Sequence, residues 1–262
     1  MTTTPRPGTT HAGVVLAAGT GARVGNRRNK VYLPLAGRPV VAWSLELFRT
    51  VSGAGRLVLV VRADDLELAE AVLDRELPGV PVDVVVGGTT RHESEYRAVR
   101  HLADEIRRDE IDVVLVHDAA RPLTPRAVVE EVLAAARRTG AAVPGLPLEG
   151  VVRVDDAGLL AASGSDGLVS VQTPQAFRGA LLLAAHEAAA RDGFTGPDTA
   201  ACVERYGDLP VCVVPGHPRN LKVTYAGDLF VVERLLAAAM IPPGRLHQLE
   251  RGPPRGQPGC AG

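Results

Sequence analysis

The stretch GVVLAAGTGARVGNRRNKVYLPLAG, residues 13–37, begins as an apolar strand and continues as a loop rich in glycine and basic residues. A glycine-rich loop lets backbone N–H groups approach a phosphate closely and forms an anion-binding concavity. The stretch lacks the GxxxxGK[ST] pattern of a P-loop, and no helix follows directly as in a dinucleotide-binding fingerprint. The chain has 29 basic residues, counting lysine and arginine, of which two are lysines, Lys30 and Lys222. Lys30 lies in this stretch. The loop alone predicts either a phosphate-binding site or a flexible connection.

Outward from this stretch, short apolar runs alternate with longer amphipathic segments. We predict strands over residues 12–18, 56–62, 82–88, 141–148 and 209–216, and residues 111–122 as a strand that runs into a loop. We predict helices over residues 38–51, 64–77, 92–108, 124–140, 178–191, 197–207 and 226–241, with Thr124 as the N-cap of the fourth helix. Continuous apolar strands separated by helices are typical of a parallel sheet covered on both faces. The sequence therefore predicts an α/β fold with a mostly parallel sheet.

The alternation is interrupted over about residues 146–170, where helical spacing is absent and two short strands flank a turn rich in Gly, Ser and Asp. This pattern predicts a hairpin arm that protrudes from the domain. The polar residues 1–11 and the Pro-, Gly- and Arg-rich residues 243–262 predict disordered tails. Residues 12–242 then form a single domain.

The composition excludes several classes of function. A net charge of −1 and an aromatic content of 3% argue against a surface that binds nucleic acid. Apolar runs fall short of the ~20 residues of a membrane span, and the N-terminus lacks the apolar segment of a signal peptide. The three cysteines, Cys202, Cys212 and Cys260, show neither metal-binding spacing nor a disulfide framework. We expect a cytoplasmic protein that binds neither nucleic acid nor a membrane.

Four loops follow the predicted strands and contain most of the residues with chemical potential, namely 19–30, 87–92, 117–122 and 215–222. Ligands of open α/β sheets bind at the carboxyl ends of the strands, so these loops are expected to meet at one site.

The polar residues of these loops also have structural interpretations. Asp118 could hold Mg²⁺ or stabilise a turn, and Arg91 could bind a nucleotide or pair with surface acids. Thr173 could contact a substrate or belong to a turn, and Asp198 could cap a helix. His117 is expected to pack or to orient its loop.

The layout G-x-G-x-R-x-G…K-x-x-L-P-L-x-G-x-P resembles the sugar-nucleotide pyrophosphorylase superfamily. Within it, VHDAARP at 116–122, TPQAF at 173–177 and NLKVT at 220–224 are similar to the cytidylyltransferases for 2-C-methyl-D-erythritol 4-phosphate and ribitol 5-phosphate. The resemblance covers about residues 12–240. It implies a Rossmann-like three-layer nucleotidyltransferase fold, the substrates CTP and a small polyol phosphate, Mg²⁺ as cofactor, and a homodimer formed through the arm.

Matching positions imply roles for individual residues. Arg23 and Lys30 would stabilise the charge that develops during nucleotidyl transfer, and Lys222 would hold the attacking phosphate. Lysine suits these tasks because its compact charge can follow an oxygen atom as the charge on that atom grows. Asp118 would hold Mg²⁺ beside CTP, and Thr173 would lie near the acceptor. The groups implied to line the nucleotide site are Leu16, Ala17, Ala18, Gly19, Gly87, Gly88, Arg91, Ser94, Asp118 and Ala119.

The chain departs from the family pattern in the arm. Gly150 and Val151 stand where the methylerythritol enzymes usually have Asp-Thr, and Ser165 aligns with an arginine that grips the acceptor phosphate across the dimer. Thr89 follows the Gly-Gly pair at the position where the family commonly has an acidic residue. Arg153 could replace the missing positive charge. These departures affect the acceptor half of the site and leave the nucleotide half intact.

Three alternatives remain beside transfer of CMP to methylerythritol 4-phosphate. The acceptor could be ribitol 5-phosphate or another polyol phosphate. The chain could also bind a nucleotide without catalysis, although Arg23, Lys30, Asp118 and Lys222 argue against this. An NAD-dependent dehydrogenase would require a helix directly after Gly25, and the LPLAGRP segment argues against such a helix.

Overall fold

The computed structural model describes residues 10–19, 29–148, 150–152, 154, 156–157 and 167–240. Within these residues the β-strands, in chain order, are β1 Thr10–Leu16, β2 Pro34–Leu35, β3 Arg38–Pro39, β4 Ala54–Val61, β5 Asp83–Val86, β6 Ile111–Asp118, β7 Ala141–Pro147, β8 Val169–Val171, β9 Gln175–Arg178 and β10 Cys212–Pro215. The α-helices are α1 Val40–Thr50, α2 Leu66–Glu76, α3 Arg91–His101, α4 Ala103–Arg107, α5 Arg126–Thr139, α6 Gly179–Asp192, α7 Thr199–Tyr206 and α8 Ala226–Met240. Single 3-10 turns span Lys30–Tyr32 and Ala63–Asp65.

The main sheet has the strand order β10-β7-β9-β6-β1-β4-β5, with β8 paired to β7. The strands β4, β5 and β6 run parallel to β1 or to its neighbours, and β10 runs parallel to β7. Only β8 and β9 among the described strands of this sheet are antiparallel to their partners. The carboxyl ends of the parallel strands therefore share one edge of the sheet, as the predicted α/β fold requires.

Each face of the sheet carries its own hydrophobic core. One core contains buried residues of α1, α2, α5 and α8, and the other contains buried residues of α3, α4, α6 and α7. Successive side chains of β1 point to opposite faces of the sheet, so this strand contributes to both cores. Val15 belongs to the first core and Val14 to the second. Both residues are fully buried, so the predicted covering of both faces by helices is confirmed.

Several local predictions differ from the structure. The helix predicted over 92–108 is divided into α3 and α4, because the backbone at Leu102 leaves helical geometry while its side chain stays buried. Thr124 is not an N-cap: Pro125 holds that position, and the Thr124 hydroxyl donates to Asn220 Oδ1 at 2.7 Å instead. Gly140 ends α5 with a φ of 99°, as its predicted place after the helix suggests.

The strand β9 was missed by the sequence pattern. Its four residues are too few for a clear period, and they lead directly into α6. This strand lies between β6 and β7 and is antiparallel to both, so it turns a parallel sheet into a mixed one. The first strand, β1, begins at Thr10, two residues before the strand start predicted at residue 12.

The described part of the arm agrees with a hairpin. Residues Gly145, Leu146 and Pro147 pair with Val171, Ser170 and Val169 at its base. Arg153 and Ser165 lie outside the described residues, as does the predicted tail at 243–262. None of the helices in the described ranges is long and apolar enough to cross a membrane.

Candidate active site

A cleft of about 370 Å³ opens at the carboxyl ends of β1, β5 and β6. Its lining comes from all four loops that the sequence singled out, within the part of them that the structure describes. The lining residues are Leu16, Ala17, Ala18, Gly19, Asn29, Lys30, Val31, Gly88, Thr89, Thr90, Arg91, Ser94, Asp118, Ala120 and Lys222. Both lysines of the chain thus reach the same cleft.

Asp118 is the centre of charge in this cleft. Its side chain is almost fully buried, and its two carboxylate oxygens accept from Arg91 Nη1 at 2.5 Å and from Lys222 Nζ at 2.7 Å. Arg121 Nε lies 3.9 Å from the second oxygen. Burial by itself raises the pKa of Asp118, but the neighbouring positive charges outweigh it and hold that pKa well below its usual value. The group is therefore a carboxylate at any physiological pH.

Asp118 is held in place from behind by a buried hydrogen-bonded chain. The residue lies opposite Leu16 at the end of the pairing between β6 and β1. Its N–H donates to Thr173 Oγ1 at 3.0 Å, and that hydroxyl lies 3.1 Å from His117 Nδ1. Burial lowers the pKa of His117 to about 4, so its ring is neutral. With Thr173 donating to Nδ1, Nε2 carries the proton and donates to the Arg121 carbonyl at 3.3 Å.

The loop that carries Lys222 is anchored on the same framework. Asn220 Nδ2 donates to the Thr173 carbonyl at 2.9 Å, and Asn220 Oδ1 accepts from Thr124 Oγ1 at 2.7 Å. Arg121 Nη1 donates to the Asn220 carbonyl at 2.7 Å. These buried bonds hold the backbone in place two residues before Lys222, and so they restrict the position from which the Lys222 side chain extends.

Lys30 is positioned by its neighbour. Asn29 is buried, and its Nδ2 donates to the Ala17 carbonyl at 2.7 Å and to Asp65 Oδ2 at 3.2 Å. Asn29 Oδ1 in turn accepts from the Val31 N–H at 3.4 Å, which begins the 3-10 turn. Asn29 therefore connects the end of the glycine-rich loop to the end of β1, the strand that precedes the loop.

Close packing requires a glycine at position 87, where a Cβ would lie 2.7 Å from the Ala18 Cβ. A Cβ on Gly88 would meet only the end of the flexible Glu93 side chain, which can move aside. Ser94 Oγ accepts from the Gly88 N–H at 3.0 Å. The start of α3 is thus drawn against the end of β1.

Most predicted site residues are brought together, with a few displacements. Ala119 is buried in the core below the cleft, and Ala120 takes the predicted place in the lining. Thr173 lies behind Asp118, and Asp198 caps α7 by accepting from the Ala201 N–H at 2.9 Å. Arg23 and Arg153 lie outside the described residues.

Sequence reasoning missed the partner of Arg91. Glu95 is fully buried, and its Oε1 accepts from Arg91 Nε at 2.7 Å while Arg91 also reaches Asp118. Burial raises the pKa of Glu95 to about 7, and Arg91 opposes that shift. The spacing of four residues between Arg91 and Glu95 within one helix was the available signal. The roles of Asn29 and Asn220 depend on long-range contacts and had no such signal.

Comparison with known proteins gives the same family that the motifs suggest. The family model for 2-C-methyl-D-erythritol 4-phosphate cytidylyltransferase, IspD, matches residues 12–238. The cytidylyltransferase of Cereibacter sphaeroides is 40% identical over 234 residues, which cover 88% of this chain and 98% of that protein. The one of Bacillus cereus is 33% identical over 224 residues, covering 85% and 96%.

Solved structures agree with these sequence relatives. The 4-diphosphocytidyl-2C-methyl-D-erythritol synthase of Anaerococcus prevotii matches with a TM-score of 0.76 and 26% identity, covering 88% of this chain and 97% of that one. The 2-C-methyl-D-erythritol 4-phosphate cytidylyltransferase of Thermus thermophilus matches with a TM-score of 0.67 and 30% identity, covering 87% and 100%. The chain therefore belongs to the 2-C-methyl-D-erythritol 4-phosphate cytidylyltransferase family.

Proposed function

We propose that this enzyme transfers CMP from CTP to 2-C-methyl-D-erythritol 4-phosphate and releases pyrophosphate, a step of non-mevalonate isoprenoid synthesis. The observation that carries the proposal is the convergence of Lys30, Lys222, Arg91 and Asp118 on one cleft at the carboxyl ends of the strands. Membership of the cytidylyltransferase family supports the same reaction.

The chemistry needs positioning more than acid–base help. A phosphate oxygen of the acceptor attacks the α-phosphorus of CTP and forms the new P–O bond. The bond from the α-phosphorus to the bridging oxygen breaks, and its electron pair leaves with pyrophosphate. Because the attacking phosphate is already ionised, no general base has to remove a proton.

The charges of the cleft suit a triphosphate. The described lining holds three cations, Lys30, Arg91 and Lys222, against one carboxylate, Asp118. Lys30 would stabilise the charge on the leaving pyrophosphate, together with Arg23, and Lys222 would hold the acceptor phosphate. Backbone groups of residues 16–19 and of Gly88 would position the nucleotide.

The donor set also fits a magnesium ion. Each oxygen of Asp118 accepts from one cation and keeps a further lone pair. Mg²⁺ is commonly bound by one or two carboxylates together with phosphates of the substrate. Asp118 would hold the ion, directly or through water, and the ion would neutralise part of the triphosphate charge.

We also propose a homodimer formed through the arm and a cytoplasmic location. Large apolar side chains are exposed on the described part of the arm and its base, as expected for a surface that another subunit covers. These residues are Leu148, Val151, Val152, Val154, Leu168 and Val171. Light scattering tests the dimer directly: wild type should have twice the mass of one chain, and Val152→Glu should shift it towards the monomer. A monomeric wild type would contradict this part of the proposal.

The test of function is pyrophosphate release with Mg²⁺ and CTP, with 2-C-methyl-D-erythritol 4-phosphate and ribitol 5-phosphate offered in parallel. Rapid release with the first compound alone supports the proposal. Release with ribitol 5-phosphate alone would overturn the acceptor assignment. This second acceptor is a specific alternative because the exposed Val151 occupies an altered position of the arm. CTP binding without release from either acceptor would favour a protein that binds nucleotide without catalysis.

A further inference from the structure

A second cluster of chemically active side chains lies away from the cleft, among the helices that cover one face of the sheet. His92 of α3, His186 of α6 and Cys202 of α7 each offer an atom capable of metal ligation, and these atoms lie within 4.8 Å of one another. All three side chains are buried, His186 and Cys202 completely. Three separate helices thus converge on one small volume.

Three ring nitrogens in this cluster have no hydrogen-bond partner within the described structure. Both ring nitrogens of His186 and the Nδ1 of His92 are buried and have no hydrogen-bond partner within the described structure. Cys202 forms no disulfide. Few buried polar atoms in native proteins go without a partner, and those that do call for an explanation such as an ion. The two histidines that carry these nitrogens are the same residues that offer ligand atoms to the cluster.

Two imidazole nitrogens and a thiolate are a donor set that suits zinc. We propose that His92, His186 and Cys202 bind a Zn²⁺ ion that links α3, α6 and α7. Binding exchanges the Cys202 thiol proton, which is released to solvent, for the metal–sulfur bond. No oxidation or reduction takes place.

Polar and aromatic side chains border the cluster. Glu95 Oε2 lies 3.9 Å from His186 Nε2, which is beyond hydrogen-bond distance. Tyr96 stacks on His186 with ring centroids 5.9 Å apart, and Phe194 meets His92 edge-on at 6.1 Å. These rings shield the volume from water. Glu95 also holds Arg91, so the ion would brace the helix that supplies the cleft.

Metal analysis of the full-length, tag-free protein tests the proposal. We expect about one zinc per chain in wild type, and loss of zinc in Cys202→Ser and in His92→Gln, each checked for folding by circular dichroism. The matched controls are Cys212→Ser, at a cysteine outside the cluster, and His101→Ala, at the exposed end of the same helix as His92. Both controls should retain zinc.

A spectroscopic arm identifies the ligands and keeps the test independent of catalysis. Cobalt added to metal-free protein should produce a thiolate-to-cobalt charge-transfer band in wild type and Cys212→Ser but not in Cys202→Ser. Zinc should raise the Tm of metal-free wild type by several degrees. Metal-free wild type that gains neither zinc nor the band, or equal loss of zinc in the controls, would overturn the proposal in favour of neutral, metal-free histidines in an apolar core.

Discussion

Replacing Lys222 with alanine should separate catalysis from stability. Its Nζ lies 2.7 Å from Asp118 Oδ2, but the lysine side chain is 38% exposed, so solvent screens the pair. Asp118 keeps Arg91 at 2.5 Å, and the free energy of unfolding should therefore fall by only about 1 kcal/mol. A charge aimed at a transition state is worth more, about 2.7–4 kcal/mol, so kcat/KM for the acceptor should fall about 10²- to 10³-fold.

The assay is steady-state pyrophosphate release, with urea unfolding of the same preparations. Arg126→Ala is the matched control, because Arg126 forms a surface ion pair with Glu130 at the same distance of 2.7 Å, and it lies outside the cleft lining. The control should keep normal turnover with a similar small loss of stability. Lys222→Arg preserves the charge and should recover part of the activity. Near-normal kcat/KM in Lys222→Ala, or an equal loss in Arg126→Ala, would refute the role of Lys222.

Lys30→Ala should lower turnover about 10²-fold, and near-normal turnover would rule out a role for the Lys30 charge in stabilising the transition state. Gly87→Ala places a methyl group 2.7 Å from the rigid Ala18 Cβ, so the loop must move and kcat/KM for CTP should fall about 10- to 100-fold; Gly227→Ala, which meets no atom within 4 Å, is the control, and equal effects contradict the steric argument. Burial, reinforced by Arg137, lowers the pKa of the His11 ring to about 4 from 6.5, so the unfolded chain takes up the proton first as the pH falls. The stability from neutral His11 is present above about pH 6.5 and is lost below it, so His11→Leu should reduce the stability loss between about pH 7 and about pH 5 by about 2 kcal/mol in urea titrations, and an unchanged slope would count against this.

The fold class and the location of the site could be read from the sequence because both depend on local pattern. Apolar runs such as residues 113–116 form buried strands wherever neighbours cover both faces, and the loop after each parallel strand reaches the same edge. The motif positions of Lys30, Asp118 and Lys222 followed from this rule and from the resemblance. The cleft brings all three together.

Other features depended on distant partners. The strand β9 is short, and its place between β6 and β7 comes from pairing across the sheet. The displacement of Ala119 into the core, where its carbonyl accepts from Ser44 Oγ at 3.1 Å, depends on how the chain turns after β6. A single sequence carries no signal for contacts of this kind.

The sequence by itself determined the layered α/β architecture and the loops that build the cleft, with the two lysines that line it, because hydrophobic period and glycine placement act over a few neighbouring residues. Only the tertiary structure decided which charges meet. It gave Asp118 two close cations, and it brought His92, His186 and Cys202 together although their spacing in the chain resembles no metal motif. The physical reason is that burial and electrostatic pairing depend on distance in space, which packing of separate helices and strands alone fixes.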